Sequence, residues 1–185
     1  MNESDKKEKF LDLLEPLLDK LYMYARMLEK NPQDAEDLAA DTILTCFESF
    51  DKMRNENSFK AFLFKVARNK FRRKNRKAWL FGSYNEEKAL NIPSNEAQPD
   101  LSYDVGVLYK TLAKLPLKQK EAVVLFEISG LSLKEIQDIQ GGTLSSVKSR
   151  IKRAREKLTE MMNPVNEKKD LINPVISTER TLISV

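Results

Sequence analysis

In both halves of this chain, apolar side chains recur at three- and four-residue steps, and no convincing stretch alternates apolar with polar. Residues patterned this way bury their apolar atoms along helix stripes, so the chain has to fold as a helical protein. Only five glycines occur among 185 residues, few for a sheet-rich fold with many tight turns. No GxGxxG or GxxxxGK phosphate loop is present.

The steps resolve into separate helices. Residues 8–30 carry Phe10, Leu13, Leu14, Leu17, Leu18, Leu21, Met27 and Leu28 at helical spacing, with Pro16 set to kink or split the helix. Asn31-Pro32 marks a new start, cap followed by proline. The next apolar face holds Ala35, Leu38, Ala39, Thr42, Ile43, Cys46, Phe47 and Phe50; Asp37, Ala40, Asp41, Leu44 and Glu48 fall opposite. After a polar loop, Ser58 is placed to cap a helix of about twenty residues with Phe59, Phe62, Leu63, Val66, Ala67 and Phe71 inward. Phe64 falls off that stripe and is expected at the surface.

Residues 81–103, with Gly82, Ser83, Pro93, Ser94 and Pro99, read as a flexible linker. The sequence thus predicts an all-α chain of two small helical domains, residues 1–80 and 104–162, followed by a tail at 163–185. In the second domain Pro116 opens a helix and Gly130 ends it. Ser132-Leu-Lys-Glu135 is a capping box, Gly141-Gly142 a tight turn, and Thr143 the cap of a last helix burying Leu144, Val147, Ile151, Ala154 and Leu158. A short capped helix, a glycine turn and a longer basic helix form a helix-turn-helix layout.

Composition removes whole classes of function. There is no histidine, which excludes His-based acid–base and triad chemistry and most zinc sites. The single cysteine, Cys46, rules out an intrachain disulfide and suits a reducing compartment. No apolar run approaches the ~18–20 residues of a membrane span. MNESDKKEKF lacks the apolar core of a signal peptide. The expectation is a cytoplasmic protein without membrane insertion, cofactor or metal, and not an enzyme. Asp34, Glu36, Asp37 and Asp41 could in principle hold Mg²⁺, but no second carboxylate motif faces them.

Charge is segregated. Residues 31–51 hold Asp34, Glu36, Asp37, Asp41, Glu48 and Asp51 and no base, whereas residues 57–85 hold Lys60, Lys65, Arg68, Lys70, Arg72, Arg73, Lys74, Arg76 and Lys77 and no acid. Such separation points to two partners for one domain, one of them polyanionic. Basic residues interleaved with Phe64, Phe71 and Trp79 fit a single strand whose bases stack on aromatics. A solvated basic hairpin would also show a basic amphipathic helix, but the capping box, glycine turn and basic helix together favour a DNA reader. In that geometry Thr143, Ser145, Ser146, Lys148, Ser149 and Arg150 face base edges. Lys152, Arg153, Arg155 and Lys157 face phosphates.

Residues 34–77 (DAEDLAADTILTCFESF through SFKAFLFKVARNKFRRKNRK) resemble region two of bacterial RNA polymerase sigma factors of the extracytoplasmic-function group. Residues 108–160 (LYKTLAKLPLKQKEAVVLFEISGLSLKEIQDIQGGTLSSVKSRIKRAREKLTE) resemble region four. The resemblance implies a transcription initiation factor with core RNA polymerase and promoter DNA as partners: duplex at the −35 element, single-stranded at −10. Members of the group are often held inactive by a membrane-bound anti-sigma factor, which joins the expected partners. By the same resemblance Asp34, Asp37, Ala40, Asp41 and Leu44 meet polymerase. Arg54, Asn55, Asn57, Ser58, Lys60, Phe64, Arg68, Asn69, Arg72, Arg73 and Arg76 serve the −10 strand, and the helix from Thr143 reads −35. The chain departs from the family pattern at Phe62 (usually Trp), Ala40 (Gln), Asp41 (Glu), Arg73 (Asp), Gln137 (Ala), Gln140 (Leu) and Gly142 (aliphatic). The alternative is a stand-alone helix-turn-helix regulator, which has no need of an acidic helix followed by a basic, aromatic one.

Overall fold

In the computed structural model, residues 2–29, 31–53, 55–80 and 103–162 are described, and all their regular elements are helical. The expected linker, apart from residue 103, and the tail lie outside the described residues.

The first domain holds α1 (Glu3–Leu14), α2 (Leu18–Leu28), α3 (Pro32–Glu48) and α4 (Phe59–Leu80). Pro16 acts as its chemistry dictates: Glu15–Leu17 tighten into a 3₁₀ turn and α1 and α2 become separate helices. At α3 the Asn31 side chain accepts the Asp34 N–H at 2.7 Å and Pro32 takes the first helical position. The entry to α4 differs in detail from the sequence reading. Ser58 ends a short 3₁₀ turn, Glu56–Ser58, and it is Asn55 whose side chain accepts the Asn57 N–H, at 3.0 Å.

Four phenylalanines knit α1 to the rest. The Phe10 ring meets Phe47, Phe50 and Phe59 edge-on, with centroids 5.1, 5.4 and 5.5 Å away. Edge-to-face geometry sets positive ring edges against negative faces and fixes the angle at which the helices meet.

The second domain holds α5 (Tyr103–Ala113), α6 (Leu117–Glu127), α7 (Leu133–Gln140) and α8 (Leu144–Met162). The capping box forms as written: Ser132 Oγ accepts the Glu135 N–H at 3.3 Å, and the Glu135 carboxylate accepts the Ser132 N–H at 2.7 Å. Gly141 and Gly142 sit at φ 73° and 93°, the left-handed region that lets the chain reverse between α7 and α8. Val147, Ile151 and Ala154 are buried against α6 and α7. Leu144, expected inward, is exposed, because the buried stripe of α8 begins only at Val147.

The two domains pack against each other. The hydrophobic core runs on as a single cluster through both, α4 contacts α7, and α2 contacts α5 and α6. Helix α4 is therefore covered by α2, α3 and α7 at once, and its buried surface is wider than one amphipathic stripe.

Candidate nucleic-acid interface

The acidic face of α3 exists because its apolar face is used up inward. Ala35, Leu38, Thr42 and Cys46 are buried, so Asp37, Ala40, Asp41, Leu44 and Glu48, about half a turn away, point to water. Asp37 has a 3.3 Å hydrogen bond from Gln33, and Leu44 is an exposed apolar residue two turns further along the same face. Asp41 lies 3.6 Å from Lys70. Asp34 is more enclosed. Lys74 Nζ reaches it at 2.6 Å and Glu29 at 3.1 Å, a clasp across α2, α3 and α4. The Lys74 hydrogen bond, outweighing partial burial, holds the Asp34 carboxyl below the usual carboxylate range. At Glu29 burial wins over the same lysine and pushes the carboxyl up. Asp34 thus ties helices together, while Asp37, Ala40, Asp41 and Leu44 form the open face. Buried Cys46 lies behind that face, its thiol pushed up to about 12 by desolvation.

At the entry to α4 and along it, Asn55, Asn57, Ser58 and Asn69 are exposed. Arg72, Arg73 and Arg76 are exposed and form no ion pair among the described residues. Arg54 lies outside the described residues. These side chains make a basic, hydrogen-bonding strip at the entry and along the second half of α4.

Two expectations for α4 need correction. Phe64 is 0% exposed, its ring 5.4 Å from Tyr24 in an edge-to-face pair. Covered by α2, it cannot stack on a base. Arg68 is 4% exposed: its Nε donates to Glu121 Oε2 at 3.0 Å, and its Nη1 donates to the Ile139 carbonyl at 2.7 Å. In this arrangement it caps the end of α7 from the other domain and is out of reach of a strand. Lys60 is also engaged across the boundary, donating to the Gly130 carbonyl at 2.6 Å.

In the second domain Thr143 and Ser146 cap α8 reciprocally. Thr143 Oγ1 accepts the Ser146 N–H and Ser146 Oγ accepts the Thr143 N–H, both at 3.1 Å. This leaves Ser145 and Lys148 exposed, Ser149 half-buried, and Lys152 and Arg153 exposed further along. Lys152 lies 3.7 Å from Glu156. Arg155, also exposed, is already engaged: its Nε donates to Glu127 at 2.7 Å and its guanidinium lies 5.5 Å from the Phe126 ring centre. Arg150 is half-buried, donating to Gln140 Oε1 at 2.9 Å and to the Gly141 carbonyl at 3.3 Å.

The three departures in the turn all have work there. Gln137 donates to the Gly142 carbonyl at 3.0 Å, Gln140 holds Arg150, and Gly142 leaves room for both Ser146 and Arg150. A Cβ on Gly142 would stand 2.8 Å from Ser146 Oγ and 3.1 Å from Arg150 Nη2. Glu121 was invisible as a functional residue in the sequence. Its one signal is a carboxylate placed directly before the apolar run Ala122–Leu125.

An exposed acidic helix face, a basic strip on the neighbouring helix and a capped helix-turn-helix with a basic last helix are the features of a DNA-binding transcription factor. The family models agree: Sigma-70 region 2 matches residues 13–81, and Sigma-70, region 4 matches residues 106–158. The ECF RNA polymerase sigma factor EcfG of Rhodopseudomonas palustris is 32% identical over 147 residues, which cover 77% of this chain and 78% of that protein. The RNA polymerase sigma factor CnrH of Cupriavidus metallidurans is 30% identical over 146 residues, covering 73% and 76%. Among solved structures, the sigma factor RpoE co-crystallised with the anti-sigma factor NepR from Bartonella quintana superposes with a TM-score of 0.67 at 30% identity, covering 82% of this chain and 95% of that one. CnrH in complex with the cytosolic domain of CnrY gives 0.60 at 25%, covering 82% and 86%.

The chain belongs to the extracytoplasmic-function (ECF) RNA polymerase sigma factors of the sigma-70 family. It is a transcription initiation factor, not an enzyme, that binds core RNA polymerase and promoter DNA and directs the polymerase to promoters. Among the described residues no helix is long and apolar enough to cross a membrane.

Proposed function

We propose that residues 1–80 form the unit that docks on polymerase and opens the −10 element, that 81–103 link it to a −35-reading unit at 104–162, and that 163–185 are a tail. Asp37, Ala40, Asp41 and Leu44 are the docking face, a strip that fits a basic or polar groove with an apolar lip. Asn55, Asn57 and Ser58 read a base turned out of the stack, with Asn69, Arg72, Arg73 and Arg76 along its backbone. Turning a base out costs a few kcal/mol, which polar contacts to its edge have to offset. Thr143, Ser145, Ser146, Lys148, Ser149 and Arg150 read −35 in the major groove, and Lys152 and Arg153 hold phosphates. The protein works in the cytoplasm. An anti-sigma factor controls it, a reading supported by the two structural relatives solved with such partners.

The observation that carries this reading is the division of the first domain. One helix presents carboxylates to water, and the next presents Arg72, Arg73 and Arg76 with no ion pair among the described residues. The test is run-off transcription with bacterial core polymerase across a promoter library. New start sites that depend on the protein are expected, each with paired −10 and −35 elements. Tight duplex binding by the protein alone, without new starts, would refute the two-element reading.

A further inference from the structure

The interface between the two domains is polar at its centre. Arg68, from the first domain, and Glu121, from the second, are 4% and 1% exposed and paired at 3.0 Å. Glu121 Oε2 also accepts from Gln140 Nε2 at 3.1 Å, and Gln140 Oε1 accepts from Arg150 Nη1 at 2.9 Å. The chain Arg68–Glu121–Gln140–Arg150 therefore runs unbroken from α4 to the recognition helix. The Gln140 amide suits this third position, because that link must donate to a carboxylate and accept from a guanidinium. The absence of a Cβ at Gly142 lets the Arg150 guanidinium lie back across the turn to complete it.

We propose that this polar chain is a latch that holds the two domains closed and makes the two DNA-reading surfaces compete with it. The inference rests on the reading of α4 and α8 given above. At one end the Nε and Nη1 of Arg68, and at the other the Nη1 of Arg150, are spent inside the protein. Arg68 cannot follow a single strand while it is capping α7. Arg150 cannot reach a base edge with the nitrogen that holds Gln140 and the Gly141 carbonyl. Lys60, bound to the Gly130 carbonyl, is withheld in the same way.

The chemistry suits a contact that must open. Closing strips water from Arg68 and Glu121, and their attraction only partly repays that loss, so a buried pair holds its geometry without adding much stability. The interior is also incompletely satisfied: Glu121 Oε1 and the Tyr24 hydroxyl, each within electrostatic reach of the other, are buried without hydrogen-bond partners. Opening returns all these groups to water. DNA at either end favours the open form, and by linkage a ligand at one end makes the other more available.

The test uses the full chain and two variants outside the DNA-reading surfaces. Glu121→Gln removes the charge that holds Arg68. Gln140→Leu keeps the ion pair but cuts the link to Arg150. Small-angle X-ray scattering reads closure without DNA, and fluorescence anisotropy reads binding of a labelled random-sequence single-stranded 12-mer. Glu121→Gln is expected to enlarge the radius of gyration at unchanged helix content and to tighten single-strand binding. For a fully opened variant the gain equals the reciprocal of the open fraction in the native protein, on the order of tenfold if one native molecule in ten is open. Gln140→Leu should give a smaller gain in the same direction. Unchanged dimensions and affinity in both variants would overturn the latch. Expansion without tighter binding would overturn the competition with DNA. Run-off transcription by the unaltered protein, measured in parallel, tests the sigma reading independently.

Discussion

Replacing Phe64 by alanine separates two accounts of one side chain. A surface Phe on a basic helix would be a stacking platform for a base, whereas the structure makes it core, 0% exposed and edge-on to Tyr24 with ring planes at 87°. Truncating a fully buried Phe loses its transfer free energy and leaves a cavity, together about 3–5 kcal/mol. For a chain of 185 residues, each kcal/mol moves the melting temperature by about 2–4 °C, so a fall of about 6–20 °C is expected. Phe64→Leu keeps most of the volume and should cost less than about 1.5 kcal/mol. Thermal unfolding by circular dichroism reads the stability, and anisotropy with a single-stranded oligonucleotide at a temperature where both proteins are folded reads the binding. A stacking platform would show the opposite pattern: about 1–3 kcal/mol of binding lost and the melting temperature unchanged. A fall below about 2 °C accompanied by a tenfold loss of single-strand affinity would refute the core assignment.

Asp37→Lys reverses a charge on a fully open face, so it should leave stability within about 0.5 kcal/mol while weakening the complex with core polymerase at least about tenfold; unaltered affinity would move the docking face elsewhere. Gly141→Ala meets no atom within 4 Å but forces a side chain to φ 73°, so a backbone cost of about 1–3 kcal/mol should appear in urea unfolding, and a shift under about 0.5 would show the turn relaxing instead. Cys46 titrates near 12 when folded and near 9.0 when exposed, so the unfolded chain releases this proton first. Its contribution is intact below pH 9 and declines above it by about 1.4 kcal/mol per pH unit. Comparing unfolding midpoints of the native protein and Cys46→Ala at pH 8 and pH 10 should expose that slope, and parallel curves would contradict it.

Most of the local structure was legible because its causes are local. Pro16 breaks a helix wherever it stands, Asn31-Pro32 starts one, and Ser132 with Glu135 closes a capping box within four residues. The open face of α3 could be read in the same way, since the residues half a turn from Ala35, Leu38, Thr42 and Cys46 follow from helix periodicity alone. The Thr143 cap of α8 and the glycine turn belong with these. What failed was exposure, at Leu144 on α8 and above all on α4. Periodicity assumes one buried stripe per helix, and α4 is covered from three directions.

The sequence by itself therefore determined a helical chain, its breaks and caps, the segregation of acid from base and the helix-turn-helix, because each depends on residues a turn or so apart. Only the tertiary structure decided that Phe64 is core, that Arg68 answers Glu121 fifty-three positions away, and that Gln140 joins that pair to Arg150. Burial is a property of the elements that come to lie on a face, and whether a charge is offered to DNA or spent inside the protein depends on contacts that a helical repeat does not encode.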